Sequence, residues 1–148
     1  MNGRSDIMQQ DPFGNLIDWG PVLDLLEEIS DKGQLASCQK GLIRILRYRG
    51  NWRLREEVLL RVGRIETPSA ELIHQVLAIL GDDNIYYDAR ILASKALIAL
   101  LENTRDGFRS EMNKAVKQVT DRLMATPQPP HFDDALLKLS PKIERLSA

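Results

Sequence analysis

The chain has little of several features that would assign it to a particular class of protein. Its 148 residues include one cysteine, Cys38, so no disulfide can form within the chain, which is typical of a reducing cytoplasm. Aromatic residues make up only 5% of the sequence, so the core must be mostly aliphatic. Residues 1–10 are polar and do not read as a signal peptide. No apolar run approaches the roughly 20 residues that a membrane helix needs. We therefore expect a cytoplasmic protein with no membrane partner.

Signals for strands and for catalysis are also scarce. Sustained alternation of apolar and polar residues is absent, and no Asn-Gly or Asp-Gly turn joins two apolar runs. The two histidines, His74 and His131, lie far apart, with no second Cys or His at metal-ligand spacing. The net charge of −1 does not by itself favour nucleic acid. We predict an all-α, non-enzymatic protein with no metal and no cofactor.

Start and stop signals divide the sequence into helices joined by short turns. Residues 1–17 are mostly polar and are predicted to be a flexible N-terminal arm, followed by a helical domain over residues 18–126. In that domain Asn51 is expected to cap one helix, and Asp82-Asp83-Asn84 to supply the N-cap of another. The predicted helices cover about residues 18–33, 35–48, 52–65, 68–80, 85–102 and 106–125.

Residues 127–148 are predicted to form a proline-containing connection and a C-terminal capping helix. The break lies at Thr126-Pro127-Gln128-Pro129-Pro130, and Ser140-Pro141 is expected to restart the helix. Beyond the break, one apolar stripe comprises Phe132, Leu136, Leu139, Ile143 and Leu146. This tail either packs back on the domain or projects as an amphipathic segment that could form a dimer, so we expect a monomer or a weak dimer.

A self-similar pattern with a period of 35 residues is the most informative feature. Leu54-Arg55-x-x-Val58-x-x-x-Val62-Gly63-x-Ile65 recurs as Ala89-Arg90-x-x-Ala93-x-x-x-Leu97-Ile98-x-Leu100. Paired helices give units over residues 35–65, 68–102 and, less regularly, 106–146. Because one helical hairpin cannot bury its own apolar face, such units must stack. The pattern predicts an α-solenoid of about three hairpins with an extra N-terminal helix.

These repeats resemble the HEAT-repeat family, an armadillo-like superhelix, and in particular the short bacterial repeats of phycobilisome-lyase-type proteins. In that family the arginine of one inner helix commonly pairs with an acidic residue at the start of an adjacent one. The resemblance therefore implies that Arg55 reaches toward Asp82, Asp83 or Asp88. It leaves Arg90 with no obvious partner on the preceding unit, because Arg49-Gly50-Asn51 stands where an Asp would be usual.

Basic residues are concentrated between Lys40 and Arg64, where only Glu56 and Glu57 oppose them. Arginine suits a bidentate grip on carboxylate or phosphate, and an exposed tryptophan can anchor a partner. The candidate partner-binding residues are Arg44, Arg47, Arg53, Arg61, Arg64 and Trp52. The alternative is a solvated face, neutralised by pairs such as Glu57–Arg61 or by the acidic first helix, with a tryptophan that closes the core.

The function that these features favour is a scaffold or protein–protein interaction module for a partner with an acidic surface. Nucleic-acid binding or DNA repair is the alternative, since HEAT-like proteins include DNA-repair enzymes. A role as an accessory subunit of a modifying enzyme rests on the resemblance alone.

Overall fold

In a computed structural model that describes residues 10–104 and 106–147, these residues form seven α-helices and no β-strand. The all-α prediction is therefore confirmed. The helices are α1 (Trp19–Asp31), α2 (Gln39–Arg47), α3 (Trp52–Arg61), α4 (Ala70–Gly81), α5 (Tyr87–Glu102), α6 (Asp106–Met124) and α7 (Pro130–Ser147). Two 3-10 turns, Leu35–Ser37 and Val62–Arg64, precede α2 and follow α3.

Side-chain caps determine where two of these helices begin. The carboxamide oxygen of Asn51 accepts a hydrogen bond from the backbone N–H of Arg53 at 2.9 Å, as predicted for the start of α3. Ser69 caps α4 in the same way, so that helix begins two residues beyond Thr67-Pro68. The cap predicted for α5 is wrong. The carboxylate of Asp82 accepts from the N–H of Asn84 within its own turn, and Tyr86 occupies the N-cap position, where its side chain makes no capping hydrogen bond.

Each helix packs on the helix two places along the chain, and the helices from α2 onward also pack in sequential pairs, α2 on α3, α4 on α5 and α6 on α7. Helices α2, α4 and α6 contact one another in that order, and α1, α3, α5 and α7 do the same. The hairpins α2/α3, α4/α5 and α6/α7 join these two rows, and an aliphatic core fills the space between them. Small residues allow the end of α3 to approach α5 closely within one row. A Cβ atom at Gly63 would lie 2.8 Å from the Cβ of Ala99 on α5.

The C-terminal helix packs back on the rest of the molecule, against α5 and α6. Its apolar stripe is buried at Phe132, Leu136, Leu139 and Ile143. The prediction that Ser140-Pro141 restarts the helix is wrong, because α7 continues through Pro141. Proline removes the hydrogen bond to the carbonyl four residues earlier, that of Leu137. Leu137 is 50% exposed, so the break lies on the outward side of α7.

The part of the N-terminal arm that the structure describes lies against the core. Phe13 and Leu16 are buried in it, and the carbonyl of Gln10 accepts a hydrogen bond from the N–H of Gly41 on α2. A free arm is therefore a wrong description of residues 10–17, because these two apolar side chains gain burial on α2. The rest of the predicted arm, residues 1–9, lies outside the described residues. None of the described helices combines the length and the apolar content that crossing a bilayer requires.

Candidate functional site: an arginine-lined cavity

Three of the candidate arginines make contacts away from the cavity described below. Arg44 on α2 pairs with Asp11, and its Nη2 also donates to the carbonyl of Gly14 at 2.7 Å. The other two contacts are made on α3 and at its end. Arg61 forms an ion pair with Glu57, as the alternative reading of the charge run proposed, and Arg64 donates to the Oγ of Ser30 at 2.8 Å.

The other three candidates differ in whether they line a cavity. Arg47 on α2 and Trp52 on α3 line a cavity of about 470 Å³ that is open to solvent. Arg53, the residue after Trp52, is exposed but is not among the residues that line this cavity. The cavity lies between α2, the first turns of α3, α4, and the turn before α5. Its lining residues are Leu46, Arg47, Arg49, Trp52, Arg55, Gln75, Ala78, Ile79, Asp82, Asn84 and Ile85.

Arg55 is the unusual residue of this cavity. It is only 5% exposed, and no described residue accepts a hydrogen bond from its buried Nε. The guanidinium carbon lies 4.1 Å from the centroid of the Trp52 ring, which is the geometry of a cation–π contact. The Trp52 ring meets Tyr86 edge-on at a centroid distance of 4.9 Å. A buried donor without an acceptor costs about 1–3 kcal/mol, so the free protein carries an unsatisfied group at this point.

The cavity carries a net positive charge. Arginine stays protonated in proteins, so Arg47, Arg49 and Arg55 against Asp82 leave two formal positive charges. Burial lowers the pKa of Arg55 below its usual value, and the nearby charge of Arg49 lowers it further. Asp82 and Tyr86 act in the opposite direction. An anion bound beside Arg55 would therefore offset the cost of burying its charge and the repulsion from Arg49.

The rim of the cavity is preorganised by contacts between side chains. The Nε of Arg47 donates to the Oε1 of Gln75 at 2.7 Å, which ties α2 to α4. Tyr86 supports Trp52 from outside the lining. Burial raises the pKa of Tyr86 above its usual value, and a hydrogen bond with Glu56 raises it further. The phenol beside Trp52 therefore stays neutral over the physiological range.

The arginine related to Arg55 by the 35-residue repeat has a different environment. Arg90 is 2% exposed, and its Nε donates to the carbonyl of Leu80 at 2.9 Å. Its Nη2 lies 3.4 Å from Asp83, and its guanidinium lies over the ring of Phe132 at 4.5 Å. Arg90 thus has acceptors inside its own hairpin, which the family resemblance did not lead us to expect.

The acidic partner that the resemblance implies for Arg55 is not paired with it. In the part of the chain that the structure describes, Asp83 pairs with Arg90 and lies 3.9 Å from Arg122. Asp82 lines the cavity near Arg55 but accepts its hydrogen bond from Asn84, and Asp88 lines a separate cavity between α5 and α7. Asp82 is therefore hydrogen-bonded within the turn before α5, and Asp83 is paired with Arg90 on α5. None of the described carboxylates forms an ion pair with Arg55.

The sequence did not single out Arg49 and Arg55 as site residues. Arg49 stood in the basic run, and Arg55 was expected to pair with an acidic residue near the start of α5. The signal that could have found Arg55 is the departure at Arg49-Gly50-Asn51, which places another arginine at the turn before its helix. Gln75 and Asn84 carry no sequence signal, because their place in the cavity depends on how α4 packs.

Other reactive side chains do not gather into a site. Cys38 is buried as a free thiol. Within residues 10–104 and 106–147, no group of three or more His, Cys, Asp or Glu side chains is arranged to hold a metal ion.

Comparison with known proteins finds no relative: no protein-family model matches the chain, and no curated protein or solved structure does so.

Proposed function

We propose that the protein is a non-enzymatic, HEAT-like α-solenoid that binds an acidic segment of another protein in the arginine-lined cavity. The observation that carries this proposal is the placement of Arg47, Arg49, Arg55 and Trp52 around one open cavity of about 470 Å³. Arginine and tryptophan are the residue types most enriched among those that dominate binding energies at protein interfaces.

The architecture in this proposal is supported by two independent features. The repeat of 35 residues relates α3 to α5, and each helix contacts the helix two places along the chain. Stacked hairpins hold the side chains on rigid helices, so little conformational entropy is lost when a partner binds. A cytoplasmic location belongs to the same proposal and rests on the single, buried cysteine.

Affinity capture with charge-reversed variants tests the proposal. The bait is the full chain, and the extract of the source cell is treated with nuclease so that nucleic acid cannot bridge to it. The cavity variant, called the groove variant below, is Arg47→Glu/Arg49→Glu, at two exposed residues that line the cavity. The control is Arg53→Glu/Lys114→Glu, which makes the same charge change at two exposed residues outside it.

We expect a protein retained by the wild type and the control to fall about tenfold or more with the groove variant, because each charge-assisted hydrogen bond contributes about 1.5–3 kcal/mol. Equal recovery with all three baits would refute the cavity as the binding site. If nuclease treatment alone removes the bound material, the partner is a nucleic acid, and the proposal fails in favour of the alternative.

A further inference from the structure

We infer that Arg55 binds a carboxylate carried by the partner chain, held edge-on by its guanidinium while Trp52 covers the guanidinium face. This inference rests on the proposed function and names the chemical group that the cavity recognises. It starts from the two unusual properties of Arg55: its guanidinium is almost completely buried, and its Nε has no acceptor among the described residues.

The stacking on Trp52 determines how a ligand can approach. With the guanidinium carbon 4.1 Å from the ring centroid, one face of the group is covered by the indole. The N–H donors of a guanidinium point outward in its plane, so the edges remain available for hydrogen bonds. A planar carboxylate matches two parallel donors on such an edge.

The charge of the cavity attracts an anion but does not select between a carboxylate and a phosphate. Asp82 lies within the same cavity and acts electrostatically on Arg55. Its carboxylate offsets one of the three arginine charges, and the remaining net positive charge attracts a phosphate dianion at least as strongly as a carboxylate. The choice of a carboxylate therefore rests on the other residues that line the cavity.

The rest of the lining suits a carboxylate attached to a peptide. Ala78 and Ile85 are accessible and give apolar surface for an aliphatic side chain, and Asn84 adds an exposed amide to the lining. Such a carboxylate is carried either by an acidic side chain or by the C-terminus of the partner. The chemistry at Arg55 is the same in both cases.

Nuclear magnetic resonance of the full chain with ¹⁵Nε-labelled arginine tests the inference directly. The Arg55 signal is assigned by its loss in Arg55→Lys. Four probes are titrated at constant ionic strength: the N-methylamide of N-acetylglutamate for a side-chain carboxylate, N-acetylleucine for a terminal one, the N-methylamide of N-acetylglutamine as the neutral match, and inorganic phosphate.

We expect a saturable shift of the Arg55 Nε–H signal with at least one carboxylate and none with the glutamine probe. Saturation by the glutamate probe assigns an acidic side chain, and saturation by N-acetylleucine alone assigns a chain terminus. Tighter binding of phosphate than of both carboxylates overturns the inference, as does the absence of any saturable shift.

Three substitutions separate an effect on binding from an effect on folding. Arg55→Lys keeps the charge but removes the planar pair of donors, and it should weaken carboxylate binding about tenfold, equivalent to 1.4 kcal/mol, as followed by the Nε–H signal of Arg49 in the same cavity. If Arg55→Lys does not fold, Arg49→Gln at the rim should weaken binding about threefold, whereas Arg53→Gln outside the cavity should leave it unchanged. Equal effects of Arg49→Gln and Arg53→Gln overturn the inference.

The outcome of this titration is independent of the capture experiment. A partner lost on reversal of Arg47 and Arg49, without any response of Arg55 to carboxylates, would leave the proposed function standing and remove the carboxylate site. A response of Arg55 to carboxylates without any captured protein would support the carboxylate site and remove the support for a protein partner.

Discussion

At the scale of the residue, two arginines at equivalent positions of the repeat have opposite hydrogen-bonding states. Arg90 donates to the carbonyl of Leu80 and reaches Asp83, so its burial is compensated. Arg55 is buried to a similar extent, yet none of the described residues accepts a hydrogen bond from its Nε. Buried polar groups are normally hydrogen-bonded, and this exception beside a cavity is the reason for the carboxylate site that we propose.

The first prediction concerns the ion pair that holds the N-terminal segment on α2. Asp11→Asn should lower the free energy of unfolding at pH 7 by about 0.5–1 kcal/mol, a small value because Arg44 is 42% exposed and solvent screens the pair. The hydrogen bond from Arg44 lowers the pKa of Asp11 below its ordinary 3.8, and partial burial opposes this. The contribution is therefore present above the ordinary pKa and is lost as pH falls through the lowered one.

Urea unfolding of the wild type and Asp11→Asn at pH 7 and at about pH 2.5 measures this difference. The gap between the two proteins should shrink at the lower pH. Glu144→Gln, at an exposed residue of α7, is the control and should show a smaller effect at pH 7. A gap of the same size at both pH values would contradict the role of the carboxylate charge.

At the scale of the element, α7 shows how tertiary packing can override a local signal. Pro141 sits inside the helix, where proline removes a hydrogen bond and crowds the preceding turn. The apolar stripe on both sides of it, from Phe132 to Ile143, is nevertheless buried against α5 and α6. Burial of these side chains therefore outweighs the local penalty at Pro141.

The second prediction follows from that penalty. Pro141→Ala should raise the free energy of unfolding by roughly 1–2 kcal/mol, since the restored hydrogen bond exceeds the entropy that alanine adds to the unfolded chain. Pro130→Ala is the matched control, because Pro130 is the first residue of α7, where proline is favoured. Chemical denaturation of both variants provides the measurement. An equal change at the two sites would show that α7 carries no penalty at Pro141.

At the scale of the whole molecule, α7 closes the row of helices that begins with α1. It covers the side of α5 that α3 and α4 do not cover, and it brings Phe132 over the guanidinium of Arg90. The N-terminal segment covers part of α2 through Phe13 and Leu16. Both ends of the described chain thus contribute to the same core.

The third prediction is that a chain ending at Thr126 loses most of its stability. The truncation removes buried Ala135 and four large buried side chains, and each of the four contributes about 1.5–3 kcal/mol, against a total of about 5–15 kcal/mol for a typical domain. Thermal unfolding and size-exclusion chromatography of the truncated and full chains test this. A truncated monomer that melts like the full chain would be incompatible with a structural role for α7.

A matched pair of point variants locates the effect on the buried face of α7. Leu136→Ala, at a fully buried residue, should cost about 2–5 kcal/mol. Leu137→Ala, at the adjacent residue that is 50% exposed, should change stability by about 0.5 kcal/mol or less.

The amino-acid sequence by itself determined the helices, because their apolar spacing and caps are local. Asn51 caps α3 as predicted, and Gly33 adopts the positive φ of 68° that ends the region of α1. It also determined that arginines would be concentrated around α2 and α3.

Only the tertiary structure decided which of those arginines face a cavity and which are paired. Arg44 is held by Asp11, 33 residues away in the chain, and Arg47 by Gln75, 28 residues away. Among the described residues, Arg55 has no ion pair, because Asp82 accepts a hydrogen bond from Asn84 and Asp83 pairs with Arg90. Pairing between distant residues depends on how helices pack, and an unsatisfied donor exists only relative to every group around it.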